Sequence, residues 1–342
     1  MQVLIYSDPH LGLARKANYT EASSRAREAW VTHSLSDLLS RSKGAGHGYR
    51  FCAGDFYDKS SVSEQTILDS LPIANDTDVI LCGNHDAVNR MGLATSFSLL
   101  SEIVGPKALI ADFAENMGFS VDVGSSPFYF APHTLNQSSY EAMIADLAKE
   151  AAEFQGYRVL CLHCNWDMNP ALLSESTLNL TPELACELLA TFHTILIGHV
   201  HTPQEIYDGR IKLIGSVFPT AFDNMDTKRA LVYDTETGTF TNLTTWDADE
   251  NYYYGPASEI PPNVMQYYEL MDDLPAGEAQ KVVVDLFKAG AFGVRLVKPT
   301  SAVEDKAISV AQLMRLPETI AAELREQRPH LVPLWEEISN EQ

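Results

Sequence analysis

The chain has 342 residues, with 24 Lys plus Arg against 46 Asp plus Glu, a net charge of −22 and 45% hydrophobic residues. This length fits one large domain or a large one and a small one, with core enough to fold unstapled, and the apolar fraction excludes wholesale disorder. No apolar run approaches the roughly 18 residues of a membrane span, and the acidic surplus argues at first against a polyanionic partner, because nucleic-acid binding draws on Lys and Arg. The start, Met1 to Tyr6, has neither a basic leader nor a small-residue cleavage site, so the sequence reads as cytoplasmic. Its five cysteines are odd in number and mostly lie in apolar runs, which suits buried reduced thiols.

Along the first 245 residues a short apolar run repeatedly ends in Gly, Asp, Asn or His, often with a helical stretch after it. The runs are Val3 to Tyr6, ending at Asp8-Pro9-His10; Tyr49 to Ala53, ending at Gly54-Asp55; Val79 to Cys82, ending at Gly83-Asn84-His85-Asp86; Val159 to Leu162, ending at His163; and Thr194 to Ile197, ending at Gly198-His199. Continuous apolar runs suit buried central strands, and in α/β sheets ligands collect beyond strand carboxyl ends. The spacing predicts helices over 21–39, 62–71 and 140–154, with start signals at Ser60-Ser61 and Ser138-Ser139. Further strands are expected at 211–215, 230–234 and 239–244. The fold class is α/β: a two-sheet sandwich flanked by helices over 1–245, a linker at 246–262, and a small α+β capping region with a helical C-terminal segment over 263–342. In that last region, strands are expected at 265–271 and 293–297 and helices at 279–288, 304–314 and 317–327.

The five clusters supply Asp8, His10, Asp55, Asn84, His163, His199 and His201. Imidazoles and carboxylates without thiolates suit a pair of Mn²⁺, Fe²⁺, Zn²⁺ or Co²⁺ ions, and one carboxylate reaching both ions holds them about 3.5–4 Å apart, as in phosphoester chemistry. Asp55 is the best bridging candidate. In Asp8-x-His10 and His199-x-His201 the two side chains project to the same side of an extended segment. Taken singly each cluster has a plainer reading, Gly-Asn-His-Asp for instance being a reasonable turn. Five clusters at five strand ends together favour a functional site. Cys161-x-x-Cys164 reads as core packing, and His133 in Ala131-Pro132-His133 as a surface or hydrogen-bonded histidine.

With Gly54-Asp55-x-x-Asp58 included, these motifs resemble those of the calcineurin-like metallophosphoesterases over about residues 1 to 245. The resemblance implies one ion on Asp8, His10, Asp55 and His201, and another on Asp55, Asn84, His163 and His199, with Mn²⁺ first and Fe, Zn or Mg as alternatives. It also implies that His85 acts as general acid and that the Asp58 carboxylate orients it. Lys59 after Asp58 and Asp86 closing the third motif depart from the Ser/Thr phosphatase pattern. Tyr6-Ser7-Asp8-Pro9-His10-Leu11-Gly12 and Gly54-Asp55-Phe56-Tyr57-Asp58 are instead similar to SbcD-type DNA nuclease subunits, including compact phage members. That resemblance implies exonuclease and endonuclease activity on DNA in repair or recombination, an SbcC-like ATPase partner, and a homodimer within a heterotetramer. The apolar positions Ile320, Leu324, Leu331, Leu334, Trp335 and Ile338 would face that partner or pack onto the chain's own small domain. The alternative is a stand-alone phosphodiesterase or phosphatase acting on small nucleotides or phosphomonoesters.

The charge is unevenly spread. Residues 1 to 60 hold eight Lys or Arg against six Asp or Glu, whereas between Arg229 and Lys281 there are ten acids and no base. Arg15, Lys16, Arg25 and Arg27 are therefore the candidate phosphate-backbone contacts.

Overall fold

The computed structural model describes residues 1–13, 18–87, 94–105, 109–111 (main chain only), 117–168, 178–271, 273–275 and 277–297. In chain order the elements begin β1 (Gln2–Tyr6), α1 (Glu21–Gly44), β2 (Tyr49–Cys52), α2 (Glu64–Asn75), β3 (Val79–Leu81), α3 (Ser96–Val104) and β4 (Leu109–Ala111). There follow β5 (Phe119–Val123), β6 (Ser126–Ala131), α4 (Gln137–Glu153), β7 (Val159–His163), β8 (Asn165–Trp166), β9 (Asn179–Leu180), α5 (Pro182–Leu188) and β10 (Thr194–Gly198). The sandwich is completed by β11 (Gln204–Ile206), β12 (Ile211–Leu213), β13 (Lys228–Asp234) and β14 (Thr239–Trp246). Last come α6 (Ala248–Asn251), β15 (Tyr252–Pro256), β16 (Tyr267–Met271), α7 (Glu278–Ala289) and β17 (Gly293–Val297).

Two six-stranded sheets run β14-β13-β1-β2-β3-β4 and β11-β12-β10-β7-β6-β5. Their central strands are parallel, with antiparallel strands at every margin but that of β4, which pairs in parallel with β3. The period-two alternation of each strand divides the core into three layers. Val3, Ile5, Phe51, Val79 and Leu81 meet Phe128, Phe130, Val159, Cys161 and Leu196 between the sheets. Leu4, Tyr6, Cys52 and Ile80 point the other way, into α1, α2 and α3. On the second sheet Leu160, Leu162, Ile195 and Ile197 pack under α4 and α5. Apolar side chains on both faces are the reason these strands read as unbroken apolar runs.

Helix starts lie a few residues from their expected signals. Ser63 rather than Ser60-Ser61 caps α2, its side chain accepting from Thr66 N–H, and Asn136 caps α4 by accepting from Ser139 N–H. Cys52, Cys82, Cys161 and Cys164 are buried free thiols, and Cys186 is exposed. No helix among the described residues is long and apolar enough to cross a membrane.

The expected linker at 246–262 is partly regular structure. After the single turn of α6, the Tyr252-Tyr253-Tyr254 run forms β15, paired in parallel with β16, which in turn pairs with β17. Aromatic residues favour strands, and alternation lets this run cover two surfaces at once. Tyr268, Leu270 and Val294 pack with Val283 of α7, while Tyr267 joins Trp246 and Phe222 in the core of the first sheet. Met1–Val297 is accordingly one compact unit. Residues 298–342, with the helices expected at 304–314 and 317–327 and the apolar partner face, lie outside the described residues.

Candidate metal centre

The carboxyl ends of β1, β2, β3, β7 and β10 bring the five clusters together. Their loops are stitched by main-chain hydrogen bonds: Asp8 N–H donates to the Gly54 carbonyl at 3.1 Å, His10 N–H to the Asp55 carbonyl at 3.2 Å, and Val217 N–H to the Ser7 carbonyl at 2.9 Å. Asp8 (φ 52°), His10 (φ 45°), Asp55 (φ 47°) and His199 (φ 82°) all sit in the left-handed region. Such conformations cost about 1–3 kcal/mol each and persist where the surrounding structure over-determines them, typically at functional sites. A Cβ on Gly83 would collide with the Asp55 carboxylate and main-chain nitrogen, so the third motif approaches the second only because a glycine stands there.

One histidine presents its lone pair in a determinate way. His163 Nδ1 lies 2.9 Å from the Ala53 carbonyl, which can only accept, so the neutral ring carries its proton there and offers Nε2 to the site. That Nε2 faces Asn84 Oδ1 at 3.1 Å and Asp55 Oδ1 at 3.3 Å. His199 Nδ1 faces the same Asn84 oxygen at 2.8 Å. On the other side, His10 Nε2 and His201 Nε2 stand 3.0 Å apart, with Asp8 Oδ1 at 4.0 and 3.8 Å from them respectively. Asp55 Oδ2 lies 3.8 Å from His10 Nε2 and, though buried, has no hydrogen-bond partner. His201 Nδ1 is engaged by Thr220 Oγ1 at 2.8 Å and Asn224 Nδ2 at 3.2 Å.

Asp55 thus turns one carboxylate oxygen to each group. Acceptors crowded in this way repel one another until a cation lies among them, and the orphaned Asp55 oxygen with the facing imidazole nitrogens fits a pair of divalent ions. Without cations the crowding draws a proton instead. Burial disfavours an imidazolium at His163, yet Asp55 and Asp8 outweigh it and carry its pKa up to about 9. Metal binding therefore displaces protons.

His85 and Asp58 are adjacent, but not as expected. His85 Nδ1 donates to the Asp58 main-chain carbonyl at 2.5 Å, while the Asp58 carboxylate faces His10 Nδ1 at 3.6 Å. The hydrogen bond that holds His85 thus comes from the main-chain carbonyl, while the carboxylate lies within 4.8 Å of ring nitrogens of both His10 and His85. Burial works against charge on His85, but Asp55 and the Asp58 carbonyl prevail and raise its pKa above the ordinary imidazole value.

Of the four basic candidates, Arg27 is not a surface contact at all. It is 1% exposed, donating through Nε to the Tyr267 hydroxyl at 3.0 Å and through Nη2 to the Pro219 carbonyl at 2.5 Å. Its place on α1 faces the small sheet, so the guanidinium serves as a buried tie. Arg25 is exposed and pairs with Glu21 one turn earlier. Arg15 and Lys16 lie outside the described residues.

Several residues of the site carry weaker sequence signals. The Asp86 carboxylate accepts from the main-chain N–H groups of Phe56 (3.1 Å), Tyr57 (2.8 Å) and Gly83 (2.9 Å), clamping the second and third motifs together. Lys228 is fully buried and donates to the His201 carbonyl at 3.1 Å and to Asp226 at 2.8 Å. His133, read as a surface or hydrogen-bonded residue, is 6% exposed, with its N–H on the Cys82 carbonyl at 3.0 Å. Burial and the neighbouring His163 push its pKa down to about 4.

Two carboxylates, an amide and four imidazoles, gathered without thiolates at one edge of a two-sheet α/β sandwich, define a metal-dependent phosphoester hydrolase. The chain belongs to the calcineurin-like phosphoesterases, whose family model matches residues 1–203. No curated protein sequence matches it. Among solved structures it is similar to an archaeal phosphodiesterase (13% identity, 71% of this chain and 99% of that one, TM-score 0.37). It is also similar to a dimetal phosphatase from Danio rerio (11%, 72% and 98%, 0.43) and a metallophosphoesterase from Sphaerobacter thermophilus (13%, 71% and 88%, 0.33). Likenesses this distant decide nothing about substrate.

Proposed function

We propose that this phosphoesterase hydrolyses DNA phosphodiesters with two divalent ions, Mn²⁺ first among them, as a nuclease subunit of the SbcD type that works as a homodimer with an SbcC-like ATPase. The observation that carries the two-ion reading is Asp55, with Oδ1 toward His163 and Oδ2 toward His10. Asp8, His10, Asp55 and His201 hold one ion, and Asp55, Asn84, His163 and His199 the other. When bound, such ions make a water nucleophilic at neutral pH and offset charge on the phosphoryl oxygens. His85 then protonates the departing sugar oxygen: its Nδ1 proton is committed to the Asp58 carbonyl, so the transferable proton is on Nε2. DNA as substrate rests on the sequence likeness of the first two motifs to SbcD-type subunits.

The burial of Arg27 and the pairing of Arg25 favour a second reading, in which the same centre takes a small nucleotide ester that needs no cationic track. Chelator-stripped protein is assayed with and without Mn²⁺ on linear duplex DNA and on bis(p-nitrophenyl) phosphate. The expected result is loss of both activities on stripping and Mn²⁺-restored degradation of linear DNA. Cleavage of the small diester with DNA left intact would sink the nuclease reading and favour the second.

A further inference from the structure

We infer that Asn165 is a positioning residue that holds the His199 ring in the one tautomer and orientation able to present Nδ1 to the second ion. The inference rests on the proposed reading of His199 as a ligand. His199 Nε2 lies 3.1 Å from Asn165 Oδ1. The amide of Asn165 is itself fixed, because its Nδ2 donates to the Leu178 carbonyl at 3.1 Å, leaving Oδ1 as the atom toward the ring. Both ring nitrogens face amide oxygens, which only accept, Nδ1 lying 2.8 Å from Asn84 Oδ1; with Nδ1 and Asn84 Oδ1 both given to the ion, the ring proton resides on Nε2 and is donated to Asn165 Oδ1.

The support behind this contact is rigid. Asn165 N–H donates to the same Leu178 carbonyl at 2.9 Å, and β8 pairs in parallel with β9 through Asn165 and Asn179. Asn179 is tied to the first residue of α4, its N–H donating to Gln137 Oε1 at 2.9 Å and its carbonyl accepting from Gln137 Nε2 at 2.8 Å. The Ala53 carbonyl does for His163 what Asn165 does for His199. Partners of this kind set ring orientation and ligand basicity, and their loss typically weakens metal binding by about 10- to 100-fold.

The test uses the full chain, stripped of metal and titrated with Mn²⁺, with binding followed by calorimetry and by the exchange-coupled electron paramagnetic resonance signal of paired ions. Wild-type protein is expected to bind two ions and give the coupled signal. Asn165→Ala is expected to bind the first ion normally and the second about 10- to 100-fold more weakly, with the coupled signal delayed accordingly. Asn165→Asp gives up the Nδ2 bond to Leu178 but keeps an acceptor for His199 Nε2, and is expected to recover the second ion to within a few-fold. Wild-type affinity for both ions in Asn165→Ala would overturn the inference, as would Asn165→Asp failing as badly as Asn165→Ala. Wild-type protein that never binds a second ion would overturn the two-ion reading itself.

Discussion

Asp58 offers two atoms to two histidines, its carbonyl to His85 and its carboxylate toward His10, so substitution separates two roles. His85→Ala is expected to keep both ions and to lower kcat for diester cleavage by about 10²- to 10⁴-fold with little change in KM. Asp58→Ala retains the carbonyl and hence the His85 contact; its expected effect is weaker metal binding through His10, by about 10- to 100-fold. Calorimetry beside steady-state kinetics checks both, and a His85→Ala enzyme with undiminished kcat would remove the acid from the scheme. The clustering of these side chains was legible because seven residues of three potentially metal-binding types fall at five apolar-run ends, a pattern that composition alone rarely makes. The Asp58 arrangement was not, since a main-chain carbonyl has no letter of its own. Asn165 stood closer to view: His163-x-Asn165 has the same two-residue spacing as Asp8-x-His10 and His199-x-His201, but an amide there reads as ordinary turn chemistry.

At the level of elements, the sandwich strands could be placed from their apolar runs, because strands buried on both faces leave no polar alternation to confuse with surface. The small sheet could not be joined to the sandwich in the same way. Its link runs through Arg27, which composition assigns to solvent or phosphate, while the structure buries it against Tyr267 and Pro219. Arg27→Ala is expected to destabilise the chain by roughly 2–4 kcal/mol, from two lost hydrogen bonds of a buried guanidinium and the packing of its stem. Arg25→Ala, at an exposed i,i+4 pair, should stay within about 0.5 kcal/mol. Urea unfolding of the two variants measures the contrast, and equal stabilities would show that the tie holds nothing.

For the molecule as a whole, the charge of −22 bears differently on partners once the described basic side chains are located. Arg27 and Lys228 are interior, and Arg50, Arg229 and Arg295 each pair with an acid. These five offer no free charge to a phosphate backbone, so the proposed DNA-directed role would draw on other bases such as the exposed Lys59, on bound ions and on a more basic partner. The crowding of acceptors around Asp55 carries one more implication, for folding rather than for chemistry. A ligand that binds only the native state stabilises it by RT ln(1 + [L]/Kd), about 2.7 kcal/mol at a hundredfold excess over Kd. Mn²⁺ should therefore raise the melting temperature of wild-type protein in a concentration-dependent way and raise it far less in Asp55→Asn; a melting point indifferent to metal would contradict this. On this account a centre assembled from left-handed residues and crowded acceptors ties the stability of the native state to metal, so that metal supply would bear on how long the chain stays folded as well as on its chemistry.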